Sequence, residues 1–566
     1  MNWQRASRYF SMVVALGAVA CTGEIGDSPM APGGGPMPPG GTGVTGTSTT
    51  TGGGTGNPTG GTGGPGMDMC KASASLAPAR IALITDEQYV NVVRDVFGVS
   101  FVGDVTAPKS ASGEYAFNAA EITMVAPGSA QAYLRAASQV ATKLKPCGTA
   151  AVDAKCMEAF LRSKLPVAWR RPATDAEIAG LITIFNGGLP DGAPRAVELT
   201  TQAALASPAF LYRSEIGTDA SMAMGNVALT PFEIASALSF ALTNSSPDAE
   251  LFAKAVDGSI ATDAVLGAQV DRLMQLSAAR ANLAKKVSYY LNFEKIPIVT
   301  KDTTLFPDFT PSLQASLYQS SQKFVDDVLW SGHFGDLFSS TKIYANADIA
   351  RVYGLPQVAG TALAPVDGAT AGFSAGLLTL PALLLSSNKH AGTDDIVHRG
   401  LWIYENLVCG VSVGAPPANA DAVFATLTGT EREKALKRDA LSCGGCHASF
   451  DPFGLVTENF DPIGRHRSID PDSKGPIDTS ATVANIGADL DGPVSGVGDL
   501  ASRLARGRRA SDCAAVQLAK FTLDHNPDVE NSCLLAQVKD NFKQSGSFAE
   551  LFKAIVTSPA FLTRDL

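Results

Sequence analysis

Cys443-Gly444-Gly445-Cys446-His447 sets two thiols three residues apart, with an imidazole directly after the second. That is the attachment spacing of a c-type haem: one turn of chain presents both sulfurs to the porphyrin vinyl groups, and His447 reaches the iron as proximal ligand. Other chemistries also use a CxxC pair. A redox couple or a plain Cys443–Cys446 disulfide needs no histidine, and zinc needs a second ligand pair at matched spacing, which is not visible. An iron–sulfur cluster draws on about four grouped thiolates, and only two are grouped here. Haem alone accounts for His447 without further assumptions.

The sixth ligand decides what such an iron does. A Met or His gives an electron carrier, whereas an open position admits peroxide or oxygen. Every methionine lies at or before Met274, so a Met ligand would come from an earlier part of the chain. His390, in the polar run Asn388-Lys389-His390-Ala391-Gly392, is the candidate distal ligand, and His398, His466 and His525 also qualify. Arg465 and Arg467 can pair with haem propionates, although surface salt bridges explain them equally well. Asp451, Glu458 and Asp461 have acid–base capacity, but Asp-Pro followed by Gly is also ordinary turn chemistry. With no P-loop and no H-E-x-x-H helix, no catalytic residue is assigned.

The N-terminus agrees with haem attachment outside the cytoplasm. Arg5 and Arg8, a mostly apolar run over 9–20 and the small residues Ala18-Val19-Ala20 read as an export signal over 1–20. Its apolar part is too short to span a bilayer. Val19-Ala20-Cys21 resembles a lipobox with Ala18 where Leu is usual, which makes Cys21 the lipidated first residue; ordinary cleavage after Ala20 would give a secreted protein instead. Residues 31–67 are almost all Gly, Thr and Pro, so 21–67 reads as a disordered tether, holding the body roughly 30–35 Å from its anchor. The run Phe373–Leu385 is broken by Pro381 and too short to cross a membrane, so everything after Gly66 is expected to be soluble.

Nine cysteines, less Cys21 and the two of the haem motif, leave six for disulfides. Six allow fifteen pairings. Proximity favours Cys147–Cys156 and Cys513–Cys533, and elimination then pairs Cys70 with Cys409.

Some five hundred residues remain to position the motif, enough for roughly three or four domains. Charged residues make up 17% and the net charge is −10, which argues against a nucleic-acid partner. The cluster Arg503, Arg506, Arg508, Arg509 reads as a solvated helix end. Thr85 with Gln88, Thr174 with Glu177, Thr230 with Glu233 and Thr430 with Glu433 each have capping-box spacing, and alternating strand patterns are scarce. The expected fold is mainly α and multi-domain: helical segments 68–146, 147–218 and 219–360, a haem-binding domain at 361–475 and a helical domain at 476–566. Ser207-Pro208-Ala209-Phe210-Leu211-Tyr212-Arg213 returns as Ser558-Pro559-Ala560-Phe561-Leu562-Thr563-Arg564, either because two domains end alike or because both are helix ends with a Pro stop.

Around the motif the chain reads Cys-Gly-Gly-Cys-His-Ala-Ser-Phe-Asp-Pro-Phe-Gly-Leu and then Glu458-Asn459-Phe460-Asp461-Pro462-Ile463-Gly464-Arg465. Together with Trp169-Arg170-Arg171-Pro172, the Ser-Pro-Ala-Phe-Leu segments, and His398-Arg399-Gly400 through Glu405-Asn406-Leu407-Val408-Cys409, this resembles the planctomycete-type cytochrome-c-associated family, secreted bacterial proteins built of consecutive domains of unknown function. It departs from that pattern at Phe450, where the family usually has Met. The resemblance implies an extracytoplasmic haem protein without naming a reaction. The expectation is therefore a lipid-anchored c-type cytochrome with one covalent haem that passes electrons to an unnamed redox partner. Two alternatives stand beside it: a haem-dependent, peroxidase-like enzyme with an open distal site, and a non-haem surface scaffold with a Cys443–Cys446 disulfide.

Overall fold

Each of the four capping boxes starts a helix, with the Thr hydroxyl accepting from the third backbone amide and the Glu or Gln side chain closing back on the cap. The computed structural model describes residues 77–107, 127–217, 226–524 and 535–565, apart from 415, 419, 442 and 472. The signal, Cys21, the tether, Cys70, His525 and Cys533 lie outside these residues. The fold is mainly helical, and among the described residues its sheets are four antiparallel two-stranded ribbons.

Two hydrophobic cores organise the body. The first gathers residues between Leu83 and Leu211 from strand β1 (Arg80–Leu83) and helices α1 (Asp86–Phe97), α2 (Pro127–Ala141), α3 (Ala154–Ala168), α4 (Asp175–Gly188) and α5 (Ala193–Leu205). In α1 the apolar positions Tyr89, Val92, Val93 and Val96 repeat at helical period and are buried, and Gly98 ends the helix in the left-handed conformation at φ 72°. The second core runs from Leu229 to Phe561. Helix α6 (Pro231–Thr243) is buried on every side from Glu233 to Thr243 and contributes Phe240 to the first core and Leu238 to the second. The body's successive segments thus share two cores.

The repeated Ser-Pro-Ala-Phe-Leu segments have a structural meaning. Each forms a one-turn helix, Pro208–Leu211 or Pro559–Leu562, running straight into a strand, β2 (Tyr212–Glu215) or β8 (Thr563–Asp565). Strand β2 pairs with β1, and β8 pairs with β3 (Asn226–Ala228), with Val227 opposite Arg564. Pro78 also bridges to Asp565, so the two ends of the described body are laced together.

Disulfides join Cys147 to Cys156 and Cys409 to Cys513. The second corrects two expected pairs, Cys70–Cys409 and Cys513–Cys533. The π-helical turn Ile403–Leu407 docks on helix α12 (Arg508–Leu523), where Arg509 donates to the carbonyls of Val408 and Cys409, both at 2.6 Å. This brings the Cα atoms of Cys409 and Cys513 to 5.4 Å across 104 residues, a contact that nearness in sequence cannot reveal.

Candidate functional site

The CGGCH motif forms the entry to a helix. Cys443 is the N-cap of α11 (Gly444–Leu455), which follows α10 (Glu431–Asp439) through a tight turn. A Cβ on Gly444 would lie 2.4 Å from the Asp439 carbonyl, so the turn needs glycine there, whereas Gly445 faces open space. Cys443 is half-buried, Cys446 is exposed, and both are free thiols.

His447 is buried and held from three sides. Its Nδ1 lies 3.0 Å from Asp451 Oδ1, one helical turn on, and Asp451 Oδ2 accepts from Arg438 Nε and Nη2 at 3.0 and 2.8 Å. Phe450 packs on the imidazole at 4.7 Å between centroids, Phe424 meets it edge-on at 5.4 Å, and the Arg438 guanidinium lies over Phe424. With the Nδ1 proton shared with Asp451, the Nε2 lone pair is left free to coordinate. The sequence marked Asp451 only as acid–base capacity; its i,i+4 spacing from His447 was the signal for this partnership. Large apolar side chains on the preceding segment stand in solvent: Leu436 (64% exposed) and Leu441 (44%).

Helix α9 (Ile396–Trp402) packs face to face on α11 through two glycines. A Cβ on Gly454 would stand 1.9 Å from the Ile396 carbonyl, and one on Gly400 would stand 2.2 Å from the Phe450 carbonyl. Buried Arg399 extends this crossing by donating to the carbonyls of Phe460 and Asp461, both at 2.6 Å. Asp461 is turn chemistry, accepting from the amides of Ile463 and Arg465 and from the Arg465 guanidinium. Burial, with Glu431 and Asp470 nearby, pushes the Glu458 carboxyl up to about 7.

The remaining candidates gather elsewhere. His390 joins His398 and Asp395: His398 Nδ1 is 2.7 Å from Asp395 Oδ1, His390 Nε2 is 3.9 Å from Asp395 Oδ2, and the two rings stand 5.8 Å apart. This trio sits beside Ile396, which packs on Gly454 and Leu455 at the far end of α11 from His447, two turns or about 10 Å of helix rise away. The structure brings His390 to His398 and does not bring it to His447. Arg465 pairs with Asp461, and Arg467 pairs with Asp394 at 2.7 Å. His466 packs against Phe460 and closes over Gly372. Met157 and Met274 are buried in the first and second cores respectively.

Five family descriptions match the chain in succession, all proteins of unknown function: DUF1587 over 83–145, DUF1595 over 156–215, DUF1592 over 229–355, DUF1588 over 374–470 and DUF1585 over 492–561. The segment holding the motif carries the label PSCyt3. The chain belongs to the planctomycete cytochrome-c-associated family. Membership brings an association with cytochrome c and no assigned activity. No curated protein and no solved structure matches the chain significantly. Among the described residues of this family member, no helix is long and apolar enough to cross a membrane.

Proposed function

We propose that this chain carries one haem c, joined by thioethers to Cys443 and Cys446 with His447 as proximal ligand, and serves as an exported electron-transfer protein anchored through Cys21. The observation that carries this reading is the chain His447–Asp451–Arg438. A carboxylate on Nδ1 fixes the tautomer and ring orientation of a metal-binding imidazole and raises its basicity. A disulfide or a plain surface loop has no need of such a partner. Two free thiols, an Nε2 without a hydrogen bond among the described residues, and exposed Leu436 and Leu441 are the groups a covalent haem uses.

When bound, the haem would supply one-electron chemistry at its iron. The protein's own part is electrostatic. Asp451 holds the proton at Nδ1, Arg438 compensates the carboxylate, and Phe424 and Phe450 keep water from the imidazole. The Cys147–Cys156 and Cys409–Cys513 bridges favour an oxidising compartment, in keeping with export over 1–20 and a tether over 21–67. The redox partner is unnamed, and the acidic net charge opposes nucleic acid.

A second reading, a peroxidase-like enzyme with an open distal position, is favoured by the electron-donating Asp451–His447 pair and by Phe450 in place of Met. The scaffold alternative requires a Cys443–Cys446 disulfide, and both thiols are free.

The test is covalent haem staining of the denatured protein, expressed with export and haem-attachment machinery. Stain in the native sequence and none in Cys443→Ala/Cys446→Ala is expected; an unstained native protein overturns the proposal. The ferric absorption spectrum then separates low-spin electron transfer from a high-spin, open-site enzyme.

A further inference from the structure

His390, Asp395 and His398 offer one ligand atom each, all within 4.8 Å of one another. We infer that they form a second, solvent-open metal site that takes one divalent transition-metal cation of the zinc type through two imidazoles and a carboxylate. Nothing in this assignment depends on the haem reading, since none of the three residues lies in the CGGCH motif.

The carboxylate is already oriented for such a role. Asp395 is buried, with 1% of its side chain exposed, and backbone amides fix both oxygens: His398 N to Oδ1 at 3.0 Å and Lys389 N to Oδ2 at 2.8 Å. The loop that carries His390 is pinned as well. Lys301 Nζ donates to the carbonyls of His390 and Asn388 at 2.8 and 3.1 Å, Asn388 Oδ1 accepts from the His390 amide, and Asp302 N donates to the Ala391 carbonyl.

Distances decide between a metal site and a hydrogen-bonded cap. Ligand atoms on one zinc ion, with bonds of about 2.0–2.2 Å, stand roughly 3.3 Å apart in tetrahedral geometry. His398 and Asp395 already approach to 2.7 Å, and His390, whose side chain is 57% exposed, is 3.9 Å from the carboxylate. An opening of the His398–Asp395 pair and a swing of His390 toward the carboxylate, each by about 0.6 Å, bring both pairs to that spacing. Two imidazoles and a carboxylate suit zinc and its neighbours rather than calcium or magnesium, and three protein ligands in an exposed site leave a coordination position for water. Binding requires both imidazoles in their neutral form.

The test is isothermal titration of Zn2+ into the full chain after metal stripping with EDTA, comparing the native sequence with His390→Ala. Because His390 is exposed, this variant should fold, which its circular dichroism checks. The expected result is one site in the native protein that weakens at least about tenfold in His390→Ala, with a Zn2+-dependent rise in melting temperature lost in parallel. Zinc binding of equal stoichiometry and affinity in both proteins would place the ion elsewhere, for example on Cys443 and Cys446, and overturn the inference. So would no binding to the native protein, which would leave a hydrogen-bonded helix cap only.

Discussion

Arg564 donates Nε and Nη2 to a single oxygen of Glu215, at 3.0 and 2.7 Å, across 349 residues of chain and with both side chains almost fully buried. Arg80 reaches the same oxygen at 2.8 Å, and Arg213 approaches the other at 3.5 Å while binding Asp524 at 3.0 Å. Arg213 and Arg564 occupy equivalent places in the two Ser-Pro-Ala-Phe-Leu repeats. The repeat is thus one helix-to-strand device used twice to aim an arginine at one buried carboxylate.

Removing one partner of a buried ionic cluster leaves the others uncompensated. Glu215→Gln should destabilise the body by about 3–5 kcal/mol, read as a lowered denaturation midpoint. The acid sensitivity follows in sign. Burial would raise the Glu215 carboxyl, but Arg564, Arg80 and Arg213 outweigh it and hold it at about 2, below the ordinary 4.5. Its contribution is complete above pH 4.5 and is lost as pH falls toward 2; a native protein and a Glu215→Gln variant with the same acid profile would refute this.

Gly454→Ala tests the helix crossing beneath the CGGCH motif. With the Ile396 carbonyl 1.9 Å from the added carbon, backbone must move, at a cost of about 3 kcal/mol or more. Gly445→Ala, at a site with nothing within 4 Å, should cost less than about 1 kcal/mol. Thermal melts of the two variants decide the matter, and equal losses would mean the crossing is not tightly packed.

Cys409→Ser, with Cys513→Ser to avoid a stray thiol, opens a closure spanning 104 residues. The expected loss is about 2–5 kcal/mol. Peptide mapping under non-reducing conditions checks the bridge directly: a Cys409–Cys513 peptide is expected, and a Cys70–Cys409 peptide would contradict it.

Glu458→Gln should stabilise the protein above neutral pH. The native carboxyl is raised from 4.5 to about 7, so the folded state holds a proton that the unfolded state releases, and stability falls as pH rises from about 4.5 to 7. Relief of that penalty is worth about 1–2 kcal/mol at pH 8, seen as a higher melting temperature than the native protein. At pH 4 the two should melt together.

Local features were legible because local geometry determines them. Capping boxes at Thr85, Thr174, Thr230 and Thr430 are four-residue patterns whose hydrogen bonds close within one turn, and each starts a helix. The Asp451 partner of His447 was legible in principle for the same reason, lying one turn away on one helix face. Arg438 was not, because it arrives from α10.

By itself the sequence determined the helical class, the family and the one pentapeptide whose spacing suits covalent haem, since each is written in short-range order. Only the tertiary structure decided that Cys409 meets Cys513, that His390 belongs with Asp395 and His398, and that Arg213 and Arg564 converge on Glu215. Such contacts depend on which helices dock where, and docking is set by the shape of whole buried faces, as at Gly400 and Gly454, rather than by any residue's neighbours along the chain.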